Sequence, residues 1–188
     1  RAASPSRTSL ISKIPIISRM VNKRTKNPRL GLTSTSFSCS KNFKADIKDH
    51  LETLDYLNDP EATDKAEELK AMDISCDAVI LFANRHAELA EKKAQSESNP
   101  IRKTELLNIA KVCRWVPAHA PRNFWEALQM YWFVHLGTIT ELNGWDAMNP
   151  GHFDQHLAPF YEKELAEGTL TREEAKELLC CSWIKVNN

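Results

Sequence analysis

The sequence predicts a mainly α-helical chain, with about six helices and at most one short strand. Apolar side chains recur at helical spacing through most of residues 42–188, and stretches rich in Asn, Pro and Gly separate the helical segments. The chain shows no internal repeat, no glycine-rich phosphate loop and no G-x-S-x-G elbow. An apolar content of 42% is sufficient for a core of ordinary size. Together these observations favour a helical body.

The first two helices are predicted from their apolar stripes and from the break between them. Spacings of four and three residues align one stripe: Phe43, Ile47, Leu51, Leu54 and Leu57. The break Asn58-Asp59-Pro60 ends this helix, with Asp59 placed to cap the second helix and Pro60 at its first position. The second helix is expected to reach about Gln95.

A third helix and a very apolar fourth helix follow. Ser98-Asn99-Pro100 marks the next break, and the proline-rich stretch 116–121 makes a stiff connector before Asn123, which can cap the fourth helix. From Phe124 to Leu136, only Glu126, Gln129 and His135 are plainly polar. A helix that is apolar almost all round must be covered almost all round, and this one is too short for a membrane span. It should therefore be an inner helix of a sizeable soluble body.

The end of the inner helix is predicted from its residue types. Gly137 lies where a helix would end, and the β-branched run Thr138–Thr140 could form a short strand. Residues 143–151 are rich in Asn, Asp, Gly and Pro, so they are predicted to form a loop. Because this loop starts from a buried helix, it is a natural place for a substrate site.

Two more helices complete the prediction. Residues 152–166 are expected to be helical with a kink at Pro159, and Gly168 separates this helix from the last one. Thr171, followed three residues later by Glu174, forms a capping box that opens the last helix.

The charge distribution divides the chain into a basic segment, residues 1–40, and a helical portion, residues 41–188. Residues 1–45 hold ten of the 25 Lys and Arg side chains and none of the 25 Asp and Glu side chains, although the net charge is zero. Three interpretations of the basic segment stay open: disordered or foreign sequence, a targeting peptide, and a basic nucleic-acid-binding arm. Its composition supports no fold of its own.

The five cysteines, Cys39, Cys76, Cys113, Cys180 and Cys181, show neither the spacing of a disulfide framework nor a C-x-x-C pair. Reduced thiols in a cytoplasmic protein are the expectation that follows. Cys180 and Cys181 lie in an apolar helical pattern, so they are predicted to be buried structural residues.

Two groups of polar residues could carry chemistry. His152 and His156 share a helix face and could bind a metal, but Asp154 lies off that face and no further ligand is suitably spaced. The alternative is that they hydrogen-bond the preceding loop, and no metal site is predicted. Asp146 follows the buried helix, where a carboxylate needs a partner. It could bind a substrate hydroxyl or amine or assist proton transfer, or it could organise the loop as an Asx-turn residue.

Residues 42–188 resemble the glycyl radical enzymes, the family that includes pyruvate formate-lyase and the glycerol and choline radical lyases. Three segments carry the resemblance: VPAHAPRNFWEALQMYWFVHLG (116–137), ELNGWDAMNPGHFDQHLAPFYEKEL (141–165) and LTREEAKELLCCSWIKVNN (170–188). The succession of FWEALQ, an apolar aromatic run, N-G and P-G-x-F-D-Q is specific to this family. Residues 1–40 share no such pattern.

The resemblance implies a parent fold and a partner. The parent fold is a ten-stranded α/β barrel wrapped in helices, usually a homodimer, and this chain would be part of its helical N-terminal portion. An activating enzyme with S-adenosylmethionine and an iron–sulfur cluster places a radical on a glycine near the C-terminus of such enzymes. That radical makes a cysteine thiyl radical, which abstracts hydrogen from the substrate. Because both radical sites lie beyond the matched segments, the chain is expected to be an incomplete domain, inactive alone.

The resemblance also implies substrate-pocket residues at Asn143, Gly144, Trp145 and Asp146. Diol- and choline-cleaving members carry N-G-H-S here, so Trp145 and Asp146 replace a substrate-contacting His-Ser pair. The loop is more similar to the hydroxyproline dehydratase and isethionate sulfite-lyase branch. Asp146 would then bind or deprotonate a small hydroxyl- or amine-bearing substrate, whose C–O, C–N, C–S or C–C bond is cleaved. No directly bound cofactor, nucleic acid or membrane is implied, and the expected setting is the anaerobic cytoplasm.

A function of another class stays open, namely a stand-alone helical interaction module with a basic N-terminal arm. The acid-free segment and the helical body favour it. A free-standing module should be compact and unfold cooperatively, whereas part of a larger body should leave its aromatic helix half uncovered.

Overall fold

The computed structural model describes residues 23–24, 35–36, 39–142 and 151–186. Six helices account for most of these residues: α1 Ser40–Glu52, α2 Ala62–Ser96, α3 Pro100–Trp115, α4 Phe124–Leu142, α5 Phe153–Glu167 and α6 Arg172–Val186. The strands found in these ranges, β1 Lys23–Arg24 and β2 Thr35–Ser36, are two residues long and pair antiparallel. The predicted mainly α-helical class and the six helices are confirmed.

The 35-residue helix α2 is the scaffold on which α1 and α3 pack. Small side chains allow this close approach, because Ala83, Ala87, Ala90 and Ala94 are all buried. In the N-terminal half of α2, Asp73 and Asp77 form ion pairs with Lys44 of α1, at 2.7 and 2.8 Å. Helix α3 therefore packs on an apolar face of α2, whereas α1 contacts α2 partly through ion pairs.

The predicted boundary between the first two helices is wrong by several residues. Helix α1 ends at Glu52, and Leu57 is 95% exposed instead of lying on the helix stripe. The carboxylate of Asp55 accepts hydrogen bonds from the backbone amides of Leu57 and Asn58, at 3.0 and 3.1 Å. This local turn competes with the helix for the backbone and ends the helical pattern early.

Helix α4 continues through the residues where a glycine end and a short strand were predicted. Gly137 lies inside the helix, and Thr138 is buried with its hydroxyl donating to the Val134 carbonyl at 2.9 Å. That bond satisfies the threonine hydroxyl within the helix, so its β-branched side chain does not require a strand. Val79 of α2 packs near Gly137, where an added Cβ would lie 3.6 Å from the Val79 side chain, an ordinary contact distance.

Helix α4 lies inside the helical body, as its apolar sequence predicts. Every residue from 123 to 139 is buried or half-buried. The core formed around it includes Phe124, Met130 and Phe133, which are at most 2% exposed. The expectation that this helix would be half uncovered in the chain by itself is wrong. Large exposed apolar side chains lie on other helices, for example Ile74 on α2 and Trp183 on α6.

The predicted burial of Cys180 and Cys181 is also wrong, since both are exposed. Helix α6 packs through Ala175, Leu178 and Leu179, which share one face at spacings of three and four. The two cysteines fall outside that face, although their neighbourhood in the sequence is equally apolar. Cys39, Cys76 and Cys113 are buried.

Candidate functional site

The four predicted pocket residues, Asn143, Gly144, Trp145 and Asp146, lie outside the described residues. Their placement therefore stays a prediction. The described structure shows the frame that holds both ends of this segment. That frame consists of α4 up to Leu142, the start of α5 after Gly151, and α6.

The start of α4 is fixed by a buried carboxylate. Glu126 is 2% exposed, and its oxygens accept hydrogen bonds from Arg122, at 2.5 Å from Nη2 and 2.8 Å from the backbone amide. The side chain of Asn123 accepts from the Glu126 amide at 2.8 Å, which confirms the predicted cap. The guanidinium of Arg122 also lies over the ring of Trp115, 3.9 Å from its centre. The R-N-F-W-E sequence thus stabilises the start of α4, and its arginine also contacts the last residue of α3.

The same end of α4 is tied to the end of α5. The backbone amide of Phe124 donates to Oε2 of Glu164 at 2.5 Å, and the rings of Phe124 and Tyr161 lie 5.9 Å apart. A charged acceptor at the first residue of a helix satisfies a free amide and interacts favourably with the helix dipole. Two separate contacts therefore hold α5 along α4.

The centre of the α4–α5 interface contains a polar pair. The hydroxyl of Tyr131 is hydrogen-bonded to Nδ1 of His156, and the ring of Phe153 meets Tyr131 edge-on with 5.0 Å between ring centres. Burial lowers the pKa of His156, and the neighbouring His152 lowers it further. Burial also raises the pKa of Tyr131. Both residues are thus held in their neutral forms, in which the tyrosine hydroxyl can donate to the imidazole.

The interpretation of His152 and His156 as metal ligands receives no support from this geometry. Nδ1 of His156 is engaged by Tyr131, and His152 is exposed just before the first residue of α5. Within the described ranges, no group of three or more His, Cys, Asp or Glu side chains is placed to hold a metal ion. His156 therefore contacts α4 across the helix interface, which is neither of the two roles that the sequence indicated.

An aromatic groove lies beside this pair. Its volume is about 60 Å³, and it is lined by Tyr131, Trp132, His135, Phe153, Ser182, Trp183 and Val186. The ring of His135 stacks on Trp132 with 5.6 Å between centres, and burial lowers its pKa, which favours the neutral form. None of the described residues that line this groove carries a fixed charge that could bind a substrate.

Sequence reasoning did not single out Tyr131, Phe153 or Trp183, which together build this groove. Tyr131 was one aromatic residue in an apolar run, and its hydroxyl gave no signal by itself. One usable signal exists, because a buried tyrosine hydroxyl needs a partner and His156 lies on the next helix along the chain. None of the described helices is long and apolar enough to cross a membrane.

Comparison with known proteins assigns this frame to a family. A family model described as pyruvate formate lyase-like matches residues 40–188. The trans-4-hydroxy-L-proline dehydratase of Clostridioides difficile is 50% identical over 145 residues, which cover 77% of this chain and 18% of that protein. The isethionate sulfite-lyase of Oleidesulfovibrio alaskensis is 41% identical over 144 residues, covering 77% of this chain and 17% of that protein.

Solved structures agree with these relatives. The hydroxyproline dehydratase from Clostridioides difficile, with trans-4-hydroxy-L-proline bound, superposes with a TM-score of 0.75 at 48% identity, covering 78% of this chain and 19% of that one. A glycyl radical enzyme from Archaeoglobus fulgidus superposes with a TM-score of 0.69 at 36% identity, covering 75% and 18%.

The chain belongs to the pyruvate formate lyase-like family of glycyl radical enzymes. The resemblance to this family is confirmed, and the matched relatives include both enzyme types of the branch that the sequence indicated. The chain spans less than a fifth of the length of these curated relatives.

Proposed function

We propose that this chain is the helical N-terminal part of a glycyl radical dehydratase or lyase that acts on a small hydroxyl- or amine-bearing substrate. The observation that carries the proposal is the 50% identity to a trans-4-hydroxy-L-proline dehydratase over nearly the whole described helical body. The relatives named above include a dehydratase and a sulfite-lyase, so C–O and C–S cleavage are the favoured reactions.

The chain would contribute one wall of the substrate pocket. Asp146 would accept a hydrogen bond or a proton from the substrate, and Trp145 would cover the substrate beside it. Asn143 and Gly144 would shape the turn that presents them. The structure supports this proposal through the two helices that border the segment. Helices α4 and α5 are joined by two separate hydrogen bonds, one to Glu164 and one from Tyr131. A rigid frame suits a segment that must place one carboxylate accurately.

The radical chemistry would reside in other parts of the enzyme. Burial raises the pKa of the thiols of Cys76 and Cys113 to about 11, which suits packing and not reaction as a thiolate. As the resemblance to the family implies, the hydrogen-abstracting cysteine and the radical glycine would come from parts of the enzyme beyond the matched segments. An activating enzyme with S-adenosylmethionine and an iron–sulfur cluster would install the radical, and the parent would be a homodimer with a barrel core in the anaerobic cytoplasm.

The test is to express the complete reading frame anaerobically together with a radical S-adenosylmethionine activating enzyme. We expect a glycyl radical in the electron paramagnetic resonance spectrum, and turnover when trans-4-hydroxy-L-proline, isethionate and related small alcohols are supplied. Asp146→Asn should lower kcat/KM about 100-fold, the range expected for a positioned acid or base. Asp64→Asn, an exposed carboxylate on α2, is the control and should change kcat/KM less than two-fold.

Two results would contradict the proposal. The first is the absence of any glycyl radical under conditions that activate a relative. The second is a radical-bearing enzyme in which Asp146→Asn and Asp64→Asn behave alike, which would remove Asp146 from the pocket while leaving the family activity in place.

A further inference from the structure

The outward side of helix α6 changes from charged to apolar halfway along the helix. Glu173, Glu177, Cys180 and Ile184 follow one another at spacings of four, three and four residues, so they share one face. All four are exposed. The two glutamates are what a solvated helix face normally carries, whereas Cys180 and Ile184 are not. Contact with water therefore explains the first half of this face but not the second.

The apolar half of this face continues into the aromatic groove. Trp183 is 59% exposed and its neighbour Ile184 is 63% exposed. Trp183 also lines the groove, opposite Tyr131 and Trp132 of α4. A single exposed apolar residue is normal on a protein surface, but a contiguous group of them marks a contact surface. We call residues 180–184, with their exposed apolar side chains, the α6 patch.

The packing of α6 fixes which side of the helix faces outward. Ala175 is buried, and Leu178 and Leu179 pack on the same core from the side of α6 that contacts α4. Turning the α6 patch inward would expose these three residues. The patch therefore cannot be buried by a rotation of its own helix, and a covering surface must approach it from outside.

The size of the α6 patch favours a covering surface in the same polypeptide over a second copy of the chain. Its side chains expose on the order of 350 Å², less than half of the roughly 800 Å² per partner that a stable protein–protein interface buries. A surface in the same polypeptide needs less area, because the covalent link raises its effective concentration to about millimolar. Enough chain exists for this in the relatives, since the family match includes α6 and the matched stretch covers only 18% of the hydroxyproline dehydratase.

We propose that the α6 patch is an internal interface of the complete enzyme, covered by an uncharged, apolar surface of the same polypeptide that lies outside residues 1–188. The inference rests on the proposed function only because it requires this chain to be part of a longer enzyme. The groove beside Trp183 receives a large apolar side chain of that surface, since none of the described residues that line the groove carries a fixed charge. Glu173 and Glu177 stay in water, so the edge of the interface lies between Glu177 and Cys180.

The test measures how fast individual thiols of the complete, folded enzyme react with N-ethylmaleimide, and mass spectrometry identifies each modified cysteine. Cys180 and Cys181 should react at least about ten-fold more slowly than the thiol introduced by Glu177→Cys, which lies one turn earlier on the same face. Ile184→Asp places a carboxylate in the interface and should raise the rate at Cys180 about ten-fold, because a buried unpaired charge opens the contact. Lys176→Asp, an exposed position in the charged half of α6, is the matched control and should leave that rate unchanged.

The comparison with Glu177→Cys is decisive even if Ile184→Asp fails to fold. Equal rates at Cys180 and at the introduced thiol would overturn the internal interface. Protection that is present in dimers and lost in separated monomers would assign the α6 patch to a second copy, and protection lost on removal of residues 1–38 would assign it to the basic segment. Either result also overturns the proposal. Absence of a glycyl radical would contradict the proposed function alone, because thiol labelling requires no radical.

Discussion

The backbone amide of Phe124 and the carboxylate of Glu164 lie 2.5 Å apart, so the first residue of α4 is bonded to the last turn of α5. Forty residues separate the two in sequence. The contact acts as a cap for α4, because the Glu164 carboxylate satisfies a backbone amide at the helix start that has no partner within the helix. It also fixes the distance between two helices that border the proposed pocket.

Glu164→Ala should therefore destabilise the chain by about 1–2 kcal/mol, the range for loss of a hydrogen bond to a charged group. The measurement is equilibrium urea unfolding of the 188-residue chain. Glu162→Ala, an exposed glutamate on the same helix, serves as the control and should cost under about 0.5 kcal/mol. Equal effects of the two substitutions would show that the contact with Phe124 adds nothing.

Glu126→Gln should be more damaging, at about 2–3 kcal/mol, because it breaks an ion pair whose carboxylate is 2% exposed. The half-exposed Arg122 limits the cost, since water can solvate the guanidinium that is left without its partner. The comparison is Glu167→Gln, which removes the exposed pair with Lys163 at 3.9 Å and should change stability by less than about 0.5 kcal/mol. The free energy of unfolding of both variants is measured from their urea midpoints, provided that their denaturant slopes are equal. A smaller loss of stability for Glu126→Gln than for Glu167→Gln would contradict the prediction.

The two helical-region glycines should respond to alanine with opposite signs. Gly168 ends α5 with a φ of +68°, so Gly168→Ala should cost about 1 kcal/mol. Gly137 lies inside α4, where an added Cβ would meet Val79 at 3.6 Å, an ordinary contact distance. Gly137→Ala should therefore stabilise the chain by about 0.5–1 kcal/mol. Thermal unfolding of both variants tests this, and a loss of stability at Gly137 would indicate that Val79 has no room to adjust.

The chain should lose stability as the pH falls below about 6.5, the usual histidine pKa. Burial lowers the folded-state pKa of both His156 and His135. In the window between the lowered folded pKa and the unfolded pKa, the unfolded chain binds more protons, so stability increases with pH. His156→Asn and His135→Asn should each reduce the slope of unfolding free energy against pH between 5 and 7, and the double variant should reduce it most. If neither substitution changed this slope, the pH dependence could not be attributed to His156 and His135.

Local signals in the sequence predicted several helix starts correctly, but not that of α2, which begins at Ala62 after Glu61 and not at Pro60 after Asp59. Asn99 caps α3 by accepting from the amides of Ile101 and Arg102, and Thr171 and Glu174 form the expected reciprocal box at α6. Such caps involve residues within one turn of each other, so their chemistry is readable from spacing alone. The prediction for Asn123 held for the same reason.

The predictions that failed depended on surroundings. The end of α4 was placed at Gly137 because glycine favours helix ends, but Val79 packs there and Thr138 bonds within the helix. Cys180 and Cys181 share an apolar pattern with Leu178 and Leu179, and only packing against the body decides which of these are covered.

By itself, the sequence determined the six helices, the caps at the starts of α4 and α6, and the family, because these follow from periodicity, from neighbours within a turn and from sequence motifs. The tertiary structure alone decided which face of α6 is buried and that Tyr131 meets His156 across 25 residues. Contacts of that kind depend on how helices are oriented in space, and spacing along the chain does not carry that information.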